Sequence, residues 1–166
     1  RYSGDIRELN GLHDVPVHLR ARLRLGWWLH PQWELLSVLS TDATGRGAGS
    51  AAELTVLHQW RPDFLAGSPW RVSTGITATL LDAQRNRVVY GVTPQDAQRT
   101  AFTVWQPSAG WSEWRWFANW RYDLDPQWTA YGGWALTRLV SESAASSIVQ
   151  QRSGFSLSVG AGRRFN

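Results

Sequence analysis

An antiparallel transmembrane β-barrel is the fold class this sequence predicts, on three observations. Apolar and polar residues alternate with period two over runs longer than ordinary strands. Short turns and long loops alternate along the chain, as in an outer-membrane meander. Aromatic residues gather beside the short turns, where a membrane interface would hold them. Residues 1–166 read as one all-β domain, with loop over 1–16 and strands over 17–165.

The clearest element is 110–140. Ser112, Trp114, Trp116, Ala118, Trp120 and Tyr122 form an apolar side; Trp111, Glu113, Arg115, Phe117, Asn119 and Arg121 form a charged side. Residues 123–127 contain Asp-Pro-Gln, which is turn chemistry, and a second alternating run starts at Trp128. The same pattern predicts seven strands: 17–29, 33–41, 51–61, 70–82, 110–122, 128–140 and 152–165. In the first, Leu19, Leu23 and Leu25 oppose Arg20, Arg22 and Arg24. Each run is long enough for the roughly 9–11 residues that a tilted strand needs to cross a bilayer.

The short connections are 30–32, 62–69 and 123–127; the long ones are 42–50, 82–109 and 141–151. Trp27, Trp28, Trp33, Trp60, Trp70, Trp120, Tyr122, Trp128 and Phe165 flank the short ones and predict an interfacial girdle. Leu19, Leu23, Ile76, Trp114, Trp116, Trp134, Leu157 and Val159 are expected to face lipid. Arg22, Thr77, Arg115, Tyr131 and Ser158 are expected to face the lumen. Bacterial single-chain barrels have an even number of strands, so further N-terminal strands are expected, about ten in all. The chain opens on Arg1 without a signal-peptide pattern and reads as a mature or truncated product.

Composition narrows the function classes. Twelve Trp suit an environment apolar at one end and wet at the other. The absence of Cys excludes disulfides, thiol nucleophiles and Cys-ligated metals. All 17 basic residues are Arg, spaced singly along alternating strands rather than clustered, which argues against a nucleic-acid footprint. No apolar run reaches the roughly 18 residues of a transmembrane helix, and mean hydropathy is −0.34. A soluble lipocalin-like barrel would alternate too, with its apolar side inward. The girdle, the loop asymmetry and the Arg-rich face favour the membrane.

The charged face is the candidate site: His18, Arg20, Arg22, Arg24, Arg61, Arg71, Arg115, Arg121 and Arg164, opposed by Glu34, Glu53 and Glu113. Unpaired buried charge is costly, so these cations need carboxylates, water or anions. Arg–Glu forks that plug the lumen are the expectation, with Glu34 and Glu113 serving the ladder of Arg20, Arg22 and Arg24. The alternative is a wet, anion-selective path. Of the four His, His13 falls in a loop, His30 in a turn and His58 on the apolar face, leaving His18 with the charged set. A lumen-packing role suits His18 better than catalysis. The adjacent pair His13-Asp14 is weak evidence for a metal. No catalytic residue, metal or other cofactor is expected.

Five short segments follow one another over most of the chain: Gly11 to Val15, Tyr90 to Ala97, Pro107 to Gly110, Leu139 to Val149 and the terminal Arg163-Arg164-Phe165. In content and order they resemble the MipA/OmpV family of outer-membrane proteins (MltA-interacting proteins). Departures are Ser141-Glu142 for Gly-Asp, Ser147 for Pro, Ala101-Phe102-Thr103 for Gly-Leu-Pro, and Asn166 after the terminal Phe. The resemblance implies an outer-membrane barrel of a Gram-negative bacterium. It further implies a structural scaffold whose partners are a lytic transglycosylase and a murein synthase, seated in outer-membrane lipid and lipopolysaccharide. A small anion-preferring diffusion channel or antibiotic-permeation barrel is the alternative.

Overall fold

Seven antiparallel strands form one sheet in simple sequence order, β1-β2-β3-β4-β5-β6-β7, in the computed structural model of the chain. The structure describes residue 12 and residues 18–60 and 67–164. The strands are β1 (Arg20–His30), β2 (Trp33–Asp42), β3 (Ser50–Trp60), β4 (Trp70–Leu81), β5 (Gly110–Asp123), β6 (Trp128–Leu139) and β7 (Ser153–Arg163). All seven expected strands are present, with no end moved by more than three residues. Residues 1–11, 13–17, 61–66 and 165–166 lie outside the described residues. The expectations for the N-terminal loop, His13, Asp14, Val17, Arg61 and Phe165 fall there.

Pairing sorts the side chains. The row Trp27–Leu35–Val56–Ile76–Trp116–Leu136–Phe155 runs straight across all seven strands and is apolar throughout. The next row, Gly26–Leu36–Thr55–Thr77–Arg115–Thr137–Gly154, projects to the other face and is mostly polar or small. A register slip of one residue would exchange these faces, so each hairpin must hold its register. Two cross-strand features of the polar face do so locally. Thr55 and Thr77 share a hydroxyl hydrogen bond of 2.8 Å, and Arg121 and Thr129 are joined through Asp123.

One irregularity corrects the expected facing of β5. Thr79 pairs with Glu113 but Leu80 pairs with Trp111, so Ser112 is the extra residue of a β-bulge. Trp111, expected on the charged side, therefore joins the apolar face and stacks on Trp114 at 5.9 Å between ring centroids. Ser112, expected on the apolar side, is buried instead.

The expected long loops hold helices. Segment 82–109 contains α1 (Ala83–Tyr90) and α2 (Pro94–Arg99), and segment 141–151 contains α3 (Ser141–Ala145). Period-two reading misses such short helices because none carries a marked apolar stripe. Side chains cap α1 and α2. Asp82 accepts from the Arg85 amide and begins α1. Thr93 and Asp96 form a reciprocal capping box around the Pro94 start of α2. No helix among the described residues is long and apolar enough to cross a membrane.

Asp82 also ties the 42–50 connection to α1, because its second carboxylate oxygen accepts from the Ser50 amide at 2.6 Å. Gly49 makes that approach feasible. It sits at φ +67°, and a Cβ there would collide with the Arg85 amide. Gly49→Val is therefore expected to cost about 1–3 kcal/mol and to raise hydrogen exchange at the amides of α1. Unchanged protection in α1 would contradict this account of the junction.

Candidate functional site

Two assemblies occupy the polar face: a cap of helices at the long-loop end and a set of charged side chains down the strands. The cap is where the molecule is most tightly packed. Val92 and Ser143 are fully buried, with Asn86, Pro107, Ser112, Asp96 and Ser146 close to it. Its buried polar groups are paired, as their burial requires. The Asn86 amide donates to the Ser108 carbonyl at 2.7 Å and its oxygen accepts from the Ser143 hydroxyl at 3.0 Å. The Ser146 hydroxyl donates to the Tyr90 carbonyl. Glu142 accepts from both the amide and the hydroxyl of Ser108, and its carbonyl accepts from the Trp105 indole. A two-residue bridge, Val92 with Trp105, closes the middle. The cap is joined to the sheet by the Tyr90 phenol, which hydrogen-bonds Ser112 near Glu113.

The charged side chains are arranged differently from the expected ladder of forks. Arg20 reaches into the 42–50 connection, donating to the carbonyls of Ser40 and Gly49 at 3.2 and 3.3 Å and to the Ser40 hydroxyl at 3.0 Å. Arg22 pairs with Glu53 at 3.1 Å, although both side chains retain exposure. Glu34 does not serve this ladder. It lies opposite Trp28 and Leu57, about 13 Å along the strand from Arg24 by strand rise. Glu113 lies opposite Thr79 and Leu139, and among the described residues it forms no ion pair with the ladder. Arg24 likewise has no carboxylate partner among the described residues. Arg115 lies 5.8 Å over the Phe117 ring. His18 is half-buried and feels the charge of Asp42.

Sequence reasoning placed Asp123 in a turn; it is the last residue of β5 and the hub of the other charged cluster. Arg121 contacts it at 2.9 Å and Arg71 at 3.5 Å. The Thr129 hydroxyl donates to it at 2.9 Å. The alternation itself carried this signal, since Arg121 and Asp123 are two apart on one strand. Arg164, beyond the end of β7, donates its amide to the Gln127 carbonyl.

The aromatic residues beside the short turns form a band of ring contacts on the apolar face. His58 lies 4.4 Å from Trp33 and 5.1 Å from Trp60. Trp70 lies 5.6 Å from Trp120 and 4.8 Å from Tyr122. The Arg163 guanidinium sits 5.6 Å over the Trp128 ring, and Trp27 shares the face through its pairing with Leu35. His58 is thus a ring-packing residue. Towards the loop end of the same face, a hollow of about 720 Å³ opens among Ala21, Leu23, Leu39, Ala52 and Leu80.

A family model described as MltA-interacting protein MipA matches residues 2–165. The chain belongs to the MipA family. Comparison with curated proteins and with solved structures returned no match. Three of the five segments that resemble the family, 90–97, 107–110 and 139–149, help build the cap. They supply Val92, Asp96, Pro107, Ser143 and Ser146 to its interior.

Burial pushes the Tyr90 phenol above its ordinary pKa, partly offset by its hydrogen bond to Ser112. The neutral phenol therefore favours the packed cap at all pH below the ordinary tyrosine value of about 10. That contribution is lost as pH rises through the raised value. In a spectrophotometric tyrosinate titration, one phenol is expected to ionise late, and the late phase should vanish in Tyr90→Phe. Its persistence in that variant would contradict the assignment.

Proposed function

We propose that the chain forms the wall of an outer-membrane β-barrel and acts as a structural scaffold in the envelope of a Gram-negative bacterium. In this reading its partners are a lytic transglycosylase and a murein synthase, in keeping with the MltA interaction that the family description states. The apolar face is the observation that carries the membrane part. Leu157 and Val159 are 75% and 80% exposed, and Leu19, Leu23, Trp116 and Phe155 are all more than half exposed. Leaving such side chains in water forfeits about 1.5–3 kcal/mol each. Lipid, including the acyl chains of lipopolysaccharide, removes that cost without any further protein. The strands, of 10 to 14 residues, are long enough to span. Backbone groups inside a bilayer must be satisfied by neighbouring strands, and the pairing of β2 to β6 on both sides suits that demand.

The cap and the ion pairs support a scaffold over a channel. Helices α1 to α3 pack at the long-loop end with paired polar groups, and Arg22, Arg71 and Arg121 are engaged with carboxylates. No step of catalysis is assigned to the chain. With the short turns on the periplasmic side, as in outer-membrane meanders, the murein enzymes would meet the ends of β1–β2, β3–β4 and β5–β6. A basic, water-filled lumen remains the competing function.

The facing is tested by paired arginine substitutions. Leu157→Arg is expected to cost about 2–4 kcal/mol in a lipid bilayer if the site lies near its midplane, whereas neighbouring Ser158→Arg should cost far less. Equal losses in folding titrations would refute the membrane assignment of the apolar face. The scaffold is tested in two assays on the membrane-extracted protein. Co-purification with a lytic transglycosylase should be retained, and a planar bilayer should show no steady current. A stable anion-selective conductance that Arg22→Glu abolishes would establish the channel instead.

A further inference from the structure

Beside the short turns, the polar face carries a charge imbalance that its ion pairs do not cancel. Arg71 and Arg121 lie directly opposite each other on β4 and β5. Like charges in that position repel. Asp123 relieves the repulsion, but unequally. One of its oxygens takes Arg121 Nε at 2.9 Å and the Thr129 hydroxyl at 2.9 Å. The other receives only a 3.5 Å contact from Arg71. Two guanidiniums thus share one carboxylate, leaving a net charge of about +1. The Arg71 side chain is 76% exposed, and among the described residues its remaining donors have no partner.

The same cross-strand row continues through Tyr131 to Gly160. Tyr131 is half exposed, and its ring lies so close over Gly160 that a Cβ there would meet ring atoms at 2.8 Å. The glycine lets the ring lie along β7. The row therefore offers a guanidinium fork, a neutralised Arg–Asp pair and an aromatic surface, spanning roughly 14 Å from β4 to β7 at the usual strand spacing.

We infer that Arg71, Arg121 and Tyr131 form a binding site for a small monocarboxylate, its anionic end on Arg71 and its body along the Tyr131 ring. A planar guanidinium matches a carboxylate bidentately, and Arg121 already holds one oxygen of Asp123 through Nε and Nη2. The residual single charge suits a monoanion better than a phosphate dianion. The inference needs only the sheet, and so stands apart from the scaffold reading.

The test uses the full chain in detergent, with N-acetyl-alanyl-alanine and its C-terminal amide as probes in ligand-observed NMR titrations. The free acid should bind and the amide should bind about tenfold more weakly, the loss typical of a charge-assisted hydrogen bond. Arg71→Gln should weaken the acid about as much and leave the amide unchanged. Tyr131→Ala should weaken both probes alike, and rising salt should weaken the acid alone. Equal binding of acid and amide by the unaltered protein would overturn the site, as would full acid affinity in Arg71→Gln. Inorganic phosphate that displaced the acid at lower concentration than acetate would overturn the carboxylate assignment. The acid–amide comparison needs no variant, so it decides the question even if a substitution impairs folding.

Discussion

The antiparallel backbone ladder is the constraint on which the rest of this molecule depends. Each strand from β2 to β6 is paired on both sides, in register, over nearly its whole length. Because side chains alternate strictly along a strand, one register sorts every residue to one of two faces at once. The apolar row through Ile76 and Trp116 and the polar row through Thr77 and Arg115 are one residue apart, yet they belong to opposite environments. The bulge at Ser112 shows how local the exception is. One extra residue turns Trp111 to the apolar face, and pairing resumes at Glu113.

The two ends of the sheet are finished by different physics. Beside the short turns, large aromatic rings contact one another across strands, and Asp125 holds the tight turn by accepting from the amides of Gln127 and Trp128. Beside the long loops there is too much chain for a turn, and it folds into a small core of its own. That core is unusual in being as polar as it is apolar. Asn86 and Ser143 are buried with their hydrogen bonds made, so the interior depends on matched donors and acceptors rather than on apolar area. Such a network is exacting, since a single unmatched partner leaves a buried group unsatisfied. This fits the presence in the cap of three of the five segments that resemble the MipA family. The strands need only alternation, whereas the cap needs particular residues.

The charged face is less uniform than a run of alternating arginines suggests. Arg20 is occupied by backbone carbonyls, Arg22 by Glu53, and Arg121 by Asp123 and Thr129. Carbonyls and hydroxyls thus do part of the work that carboxylates were expected to do. A guanidinium has five donors in a planar fork, which lets it satisfy a loop as readily as an acid. The exposed pairs contribute little stability individually. Their arrangement matters more for what each leaves available, as the 76% exposed side chain of Arg71 shows.

The amino-acid sequence by itself determined the strands, their order and the two faces. Apart from the bulge at Ser112 and the shift beside His30, period two survives in the runs from Arg20 to Arg163, and turn residues such as Pro31 and Pro126 mark the reversals. The aromatic positions beside those turns were equally legible, because they follow from the same alternation. The tertiary structure alone decided which charges meet. Glu34 and Glu53 share one face, yet only Glu53 reaches Arg22, because register sets position along the strand as well as side. Only the tertiary structure revealed the cap, because Asn86, Ser108 and Ser143 come from segments up to 57 residues apart. Local pattern carries the alternation because neighbours in sequence impose it; polar networks between loops are invisible until the sheet brings the loops together.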